Sequence, residues 1–187
     1  MGPELTAAQT RVITAALDLF ARHGVGGTSL QMIADEIGVT KAAVYHQYRT
    51  KDEIVLAAAE TELTILEGVV ERAEAEPSAK KARDAAVVGI VDLTIERRHT
   101  IGTILSDPVI VDFFRDHEQF RDVMHRLRAL LMRGERGPDA TLRMVMLIAA
   151  ISGAVSSPMV ADFDDATLRA ELLRLARRFL GIPNHST

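Results

Sequence analysis

Apolar residues recur every three or four positions along almost the whole chain, the period of an amphipathic helix. No run of alternating Val, Ile, Thr or Tyr bounded by turn signals demands a strand, so the expected fold class is all-α. Gly24, Gly26, Gly27, Pro77, Gly102, Pro108, Gly134, Gly137, Pro138, Pro158 and Pro183 punctuate the pattern and cut it into about nine helical pieces.

The first helix is expected from about Thr6 to His23, opened by a Thr6–Gln9 capping box and ended by Gly24 in a left-handed conformation. Ile13, Ala16, Leu17 and Phe20 form its apolar stripe. A second helix opens at Thr28, with Gln31 spaced to reach back to the cap, and closes at Gly38. A third follows Thr40 and stops near Tyr48, and Thr50 with Glu53 caps a long fourth helix reaching toward Glu76. Between Lys80 and His99 the run from Ala85 to Ile95 is apolar on nearly every side, which predicts a helix buried all round. Met144 to Val155 is similar, but its length of about 12 residues falls short of the roughly 20 that cross a bilayer, so no membrane partner is expected. The last helix, Ala166 to Leu180, carries Leu168, Leu172, Leu175 and Phe179 on one seam that wants a partner helix.

Composition narrows the classes. The 187 residues are 48% hydrophobic and 26% charged, as in a soluble globular chain, and contain neither Cys nor Trp. Disulfides, thiolate zinc sites and cysteine catalysis are therefore excluded. The segment Met1 to Thr6 has no basic stretch and no apolar stretch of the secretory kind, which predicts a cytoplasmic protein. Net charge is −4, so bulk electrostatics argue mildly against nucleic acid.

The segment from Thr28 to Lys51 changes that picture. Counted from Leu30, Ala34, Gly38 and Val44 occupy the fifth, ninth and fifteenth places. Two helices that cross steeply need a small residue at the contact, Ala34, and a turn residue at ease with positive φ, Gly38. Val44 then packs the second helix back onto the first, as in a helix-turn-helix whose second helix enters the major groove of DNA. With Val44 inward and about 100° per residue, Ala42 and His46 turn to the opposite face with Lys41 and Tyr45 on its flanks, while Tyr48 shares the face of Val44. From Val39 to Lys51 there are three basic side chains, Lys41, Arg49 and Lys51, together with His46 and no acid. Over residues 1–55 five basic side chains stand against six acidic ones, so non-specific affinity should be modest and salt-sensitive.

Residues 11 to 56 resemble the DNA-binding region of TetR-family transcriptional regulators, through AALDLFARHGVGGTSL and then IADEIGVTKAAVYHQYRTKDEI. The run Val44-Tyr45-His46-Gln47-Tyr48 followed by Thr50-Lys51-Asp52 is the most specific part; the remainder of the chain is similar in architecture alone. The resemblance implies a homodimer on a palindromic operator in double-stranded DNA, usually a repressor, released when a small and largely apolar effector enters the C-terminal domain. It implies that Thr28, Tyr45 and Lys51 touch phosphates, that Lys41, Ala42 and His46 lie toward base edges, and that Thr40 caps the recognition helix beside a phosphate. Ala42, Ala43 and Gln31 stand where the family often has Gly, Thr and a basic residue, differences that bear on the operator and not on the fold.

The expected organisation is a three-helix DNA-binding domain over residues 1–51 and a larger helical ligand-binding and dimerisation domain over 52–187. In the second, Asp92 and Thr94 are polar residues within an apolar helix, and if buried they need either an internal hydrogen bond or a ligand cavity. The expected pocket combines them with Ile90, Phe113, Phe114, Phe120, Met124 and Met146, Met being adaptable to varied ligands. The expected dimer interface is Ile148, Ile151, Val155, Leu168, Leu172, Leu175 and Phe179, packed as a four-helix bundle about a twofold axis. No cofactor and no metal are expected, since His117 and His125, among Asp112, Asp116, Glu118 and Asp122, have the look of a solvated acidic face. An all-helical enzyme is the alternative from another class, but no Ser-His-Asp pattern, phosphate loop or paired-carboxylate motif supports it. A helix-turn-helix-shaped activator or adaptor that does not use DNA is a further alternative.

Overall fold

The computed structural model describes residues 5–98, 112, 114, 115 and 117–183. Among them are eight α-helices, one short 3-10 turn at Pro158–Val160, and no strand. The helices are α1 (Ala7–Gly27), α2 (Leu30–Ile37), α3 (Lys41–Gln47), α4 (Lys51–Glu74), α5 (Ala79–Glu96), α6 (Glu118–Leu131), α7 (Pro138–Val155) and α8 (Asp165–Leu180). Of the residues singled out in the sequence, His99, Gly102, Pro108, Phe113 and Asp116 lie outside the described residues.

Two compact units emerge. One holds α1, α2, α3 and α4 as far as Glu62; the other holds α4 from Leu63 onward with α5 to α8. In the first unit, Val12, Ile13, Ala16, Leu19 and Phe20 of α1 close over Ile33 and Ala34 of α2, Val44 of α3, and Ile54, Val55 and Ala58 of α4. The expected Thr6–Gln9 capping box opens α1 with both hydrogen bonds present. Its end differs from expectation. Gly24 has positive φ but an extended ψ (72°, 161°), so the chain kinks there instead of forming a left-handed cap, and one further turn carries α1 to Gly27. The cap of α2 also differs: Ser29 Oγ, not Thr28, accepts the Met32 amide at 3.2 Å, and Gln31 turns outward to Asp35 at 2.7 Å. At the start of α4 the Thr50 hydroxyl accepts the Glu53 amide at 3.1 Å, while the Glu53 carboxylate reaches the Arg49 amide at 2.7 Å.

In the second unit α5 is the centre, in contact with α6, α7 and α8. Every residue from Ala82 to Ile95 is buried or half-buried, as its apolar run predicts. Three of its side chains bind across to α8: Asp84 accepts two bonds from Arg177 at 2.7 and 2.9 Å, Asp92 accepts two from Arg169 at 2.6 and 3.0 Å, and Arg83 donates to the Leu180 carbonyl at 3.0 Å. Gly89 makes room for α4, because a Cβ on it would stand 2.4 Å from Val69 Cγ1. Helix α7 begins at Pro138, a residue suited to the first helical position, one turn before the expected start at Leu142 and ahead of the apolar run from Met144. Its 18 residues have mean hydropathy 1.4, long and apolar enough by that measure to cross a membrane, and 33% of the stretch is buried within the unit.

Candidate nucleic-acid interface

The α2–α3 pair is built as the spacing requires. Ala34 and Val44 are fully buried, and burial of a side chain such as Val44 contributes about 1.5–3 kcal/mol. Gly38 is left-handed (φ 68°, ψ 37°), its amide donates to the Ala34 and Asp35 carbonyls, and the Val39 amide reaches the Ala34 carbonyl at 2.9 Å. A non-glycine residue would strain this turn. From α1, Arg11 donates to the Ile37 carbonyl at 3.1 Å and Arg22 pairs with Glu36 at 2.8 Å, so two ties from α1 hold the last turn of α2.

The Thr40 hydroxyl caps α3 by accepting the Ala43 amide at 3.2 Å. Beyond it Lys41, Ala42 and His46 are exposed, with Tyr45 at 49% exposure beside them, while Tyr48 is buried on the side of Val44. Burial, with Glu60 adding its negative charge, raises the Tyr48 phenol pKa, so this ring stays neutral in the core. The side chains of Lys41 and Arg49 have no partner among the described residues, leaving their charge available to an outside anion.

Thr28 and Lys51 form a linked pair. Thr28 is 3% exposed and its hydroxyl donates to the Gly24 carbonyl at 2.9 Å, so its one hydroxyl proton is engaged inside the unit. Lys51 donates to the Thr28 carbonyl at 3.2 Å and the Gly26 carbonyl at 3.4 Å. Its ammonium closes the α1–α2 junction from the first turn of α4 and places a positive charge there. Arg11, which ties α1 to the end of α2, does not stand out in the sequence; its partner is a backbone carbonyl, and no side-chain pattern announces it.

The family profile described as "Bacterial regulatory proteins, tetR family" matches residues 12–58. The chain is 31% identical over 172 residues to the HTH-type transcriptional regulator YezE of Bacillus subtilis, spanning 82% of this chain and 87% of that one. The chain belongs to the TetR family. The fold agrees: the TetR-family regulator PfmR of Thermus thermophilus superposes with TM-score 0.73 over 97% of this chain and 100% of its own, at 22% identity. SmeT, solved in complex with triclosan, gives 0.66 over 92% and 91% at 23% identity. This TetR-family chain is thus a helix-turn-helix transcriptional regulator, and its family and fold are those of regulators and not of enzymes.

In the second unit of this TetR-family regulator the expected pocket residues are spread out. Ile90 is buried in the core, and the Thr94 hydroxyl donates to the Ile90 carbonyl at 2.7 Å, which satisfies it within its own helix. Asp92 takes the two bonds from Arg169. Phe120 and Met124 are half-buried against this core and Met146 is exposed, while Phe114 belongs to the first unit, on whose core it packs. Of this set Asp92 lines a cleft of about 350 Å³ between α4 and α5, whose walls include Ile65, Val69, Arg72, Val88, Gly89 and Leu93. The expected dimer residues divide likewise. Ile151, Val155, Leu168 and Leu172 are buried inside the unit and Ile148 is half-buried, while Leu175 and Phe179 stand 50% and 44% exposed. Leu142, Val145 and Met146 of α7 are also exposed.

Proposed function

We propose that this chain is a homodimeric repressor that binds a palindromic operator through α3 and leaves it when a small apolar effector occupies the second unit. The observation that carries the DNA half is the solvent face of α3: Lys41, Ala42, Tyr45 and His46 are exposed on a buried helix-turn-helix frame, in an acid-free run from Val39 to Lys51. Lys41 and His46 meet base edges, while Tyr45 and Lys51 meet phosphates together with the capped start of α3 at Thr40. Thr28 acts from beneath, by holding the carbonyl that orients Lys51.

Two copies are needed to read two successive major grooves about 34 Å apart. The exposed apolar side chains Leu142, Val145 and Met146 on α7, with Leu175 and Phe179 on α8, support a four-helix interface in which Ile148, Ile151, Val155, Leu168 and Leu172 form the inner support. The α4–α5 cleft supports an effector site of small-molecule size. Helix α4 is continuous from Lys51 into that cleft, so an effector that prefers one placement of its second half biases the first half and shifts the population away from the DNA-competent state.

The test is fluorescence anisotropy on a duplex from the chain's own upstream region at two salt concentrations, with unrelated duplex as competitor. Tight, salt-dependent binding that competitor does not displace supports the proposal. Binding no stronger than to competitor, on that duplex and on fragments selected from the whole genome, refutes it.

A further inference from the structure

A second cleft, of about 590 Å³, lies in the same unit away from the α4–α5 cleft, among the start of α5, the end of α6 and the residues after α8. Among the described residues its walls carry three cations, Lys80, Arg83 and Arg133, and no carboxylate, alongside the apolar side chains Leu130, Ile182 and Pro183. Arg83 is the unusual member, for it is only 8% exposed. A guanidinium taken that far from water normally meets a carboxylate. Arg83 meets two helix ends instead: Nε donates to the Leu131 carbonyl at 2.7 Å and Nη2 to the Leu180 carbonyl at 3.0 Å, while Nη1 has no bond to the described protein. The two helix C-termini orient the group and supply partial negative charge, but no full counter-ion. The carboxylates nearby are committed elsewhere, Asp84 to Arg177 at 2.7 Å and Glu135 to Arg143 at 3.0 Å. Burial, with Arg133 and Arg143 repelling, lowers the Arg83 pKa, and the attraction of Glu135, itself paired with Arg143, does not offset it.

Arg133 supplies an independent observation. Its φ of 53° makes it the non-glycine residue with positive φ among those described. It follows the cap of α6, and the Gly134 amide returns to the Ala129 carbonyl at 3.0 Å, the bond of a Schellman end, which puts Arg133 at the place where glycine is favoured. A non-glycine residue in this conformation is uncommon, and such backbone strain clusters at ligand-binding positions. Lys80 and Arg133 themselves have no partner among the described residues.

We propose that this cleft binds a small organic oxyanion, a carboxylate on a hydrocarbon body, with Arg83, Arg133 and Lys80 around the anionic head and Leu130, Ile182 and Pro183 along the tail. The site stands apart from the α4–α5 cleft and does not depend on the DNA-binding proposal.

The experiment is calorimetric titration of the full chain with octanoate, with octanamide as the uncharged isostere and inorganic phosphate as the head alone. Arg133→Gly removes the cation while relieving the left-handed backbone, so it should keep or raise the melting temperature yet weaken octanoate by about tenfold, the scale of one charge-assisted hydrogen bond. Lys80→Gln, an exposed change, should weaken octanoate with the fold untouched. Octanamide and phosphate should both bind more weakly than octanoate. No octanoate binding, octanamide or phosphate binding as well as octanoate, or octanoate affinity unchanged in both variants would overturn the proposal.

Discussion

Gly89→Ala tests the packing of α4 on α5, and with it one wall of the proposed effector cleft. The added methyl would stand 2.4 Å from Val69 Cγ1, far inside the roughly 3.5–4.0 Å at which carbon atoms meet. Val69 cannot swing clear at little cost, because a β-branched side chain in a helix has one strongly preferred rotamer. Overpacking of this kind costs about 1–3 kcal/mol. Against it, Ala at a helix interior gains about 1 kcal/mol over Gly. The single variant should therefore be destabilised by up to about 2 kcal/mol, the difference of those two terms. Removal of the obstacle sharpens the test. Val69→Ala alone should cost about 2 kcal/mol as a core truncation, but in its background Gly89→Ala should become stabilising by about 1 kcal/mol. The cycle thus predicts a favourable coupling of about 1–3 kcal/mol between the two substitutions. Urea unfolding followed by far-ultraviolet circular dichroism, at one fixed protein concentration for all four proteins, measures it. A Gly89→Ala variant more stable than the parent, or strict additivity across the cycle, would show that α4 yields to the methyl and that the close approach is not a constraint.

Three other outcomes are expected. Lys51→Ala should lower operator affinity across sequences and reduce the salt slope by about 1, with some loss of thermal stability because the Gly26 and Thr28 carbonyls lose their donor, whereas His46→Ala should change which operator bases matter; anisotropy over a salt series and a set of mutated duplexes separates the two. Hydrogen bonding from Arg126, 2.6 Å away, lowers the Glu74 pKa, so this pair's stabilisation is present above the ordinary glutamate range and lost as pH falls through the folded value. Arg126→Met should accordingly cost more at neutral pH than at about pH 3, and equal losses by thermal melting at both would refute this. Leu175→Glu, at a half-exposed position, should leave helix content intact and convert the proposed dimer to monomer in sedimentation velocity; an unchanged sedimentation coefficient would remove α8 from the proposed interface.

The helix-turn-helix frame is legible in the sequence because its determinants are local. Ala34, Gly38 and Val44 lie within one short segment, and each spacing corresponds to one steric requirement that the structure meets. The same locality leaves caps ambiguous where two hydroxyls adjoin. Thr28 and Ser29 can each cap α2, and the choice is decided by the Gly24 carbonyl, which takes the Thr28 hydroxyl and leaves Ser29 to the helix. In the second unit the deciding partners are distant in sequence. Asp92 reads as a polar residue in need of a ligand, and its partner Arg169 sits 77 positions away. The α8 seam is visible as a stripe, but periodicity does not say which neighbour covers it: Leu168 and Leu172 turn to the unit's own core and Leu175 and Phe179 to solvent. Arg83 and Gly89 carry no signal at all until α4, α6 and α8 are in place.

The three ties from α5 to α8 join residues 77 to 97 positions apart, whereas those that hold the first unit, Arg11 to Ile37 and Lys51 to Gly26, span only 26 and 25. Short loops close with less entropy lost and form sooner. As the chain leaves the ribosome, α1 to α3 and the start of α4 therefore acquire their fold early, while α5 waits for the last helix before its buried guanidinium and two carboxylates find partners. A chain halted before α8 would expose the helix-turn-helix on a molecule whose second unit is still open. Such truncated products would be visible to proteases at α5 long before α1, and limited proteolysis of stalled chains would reveal that order.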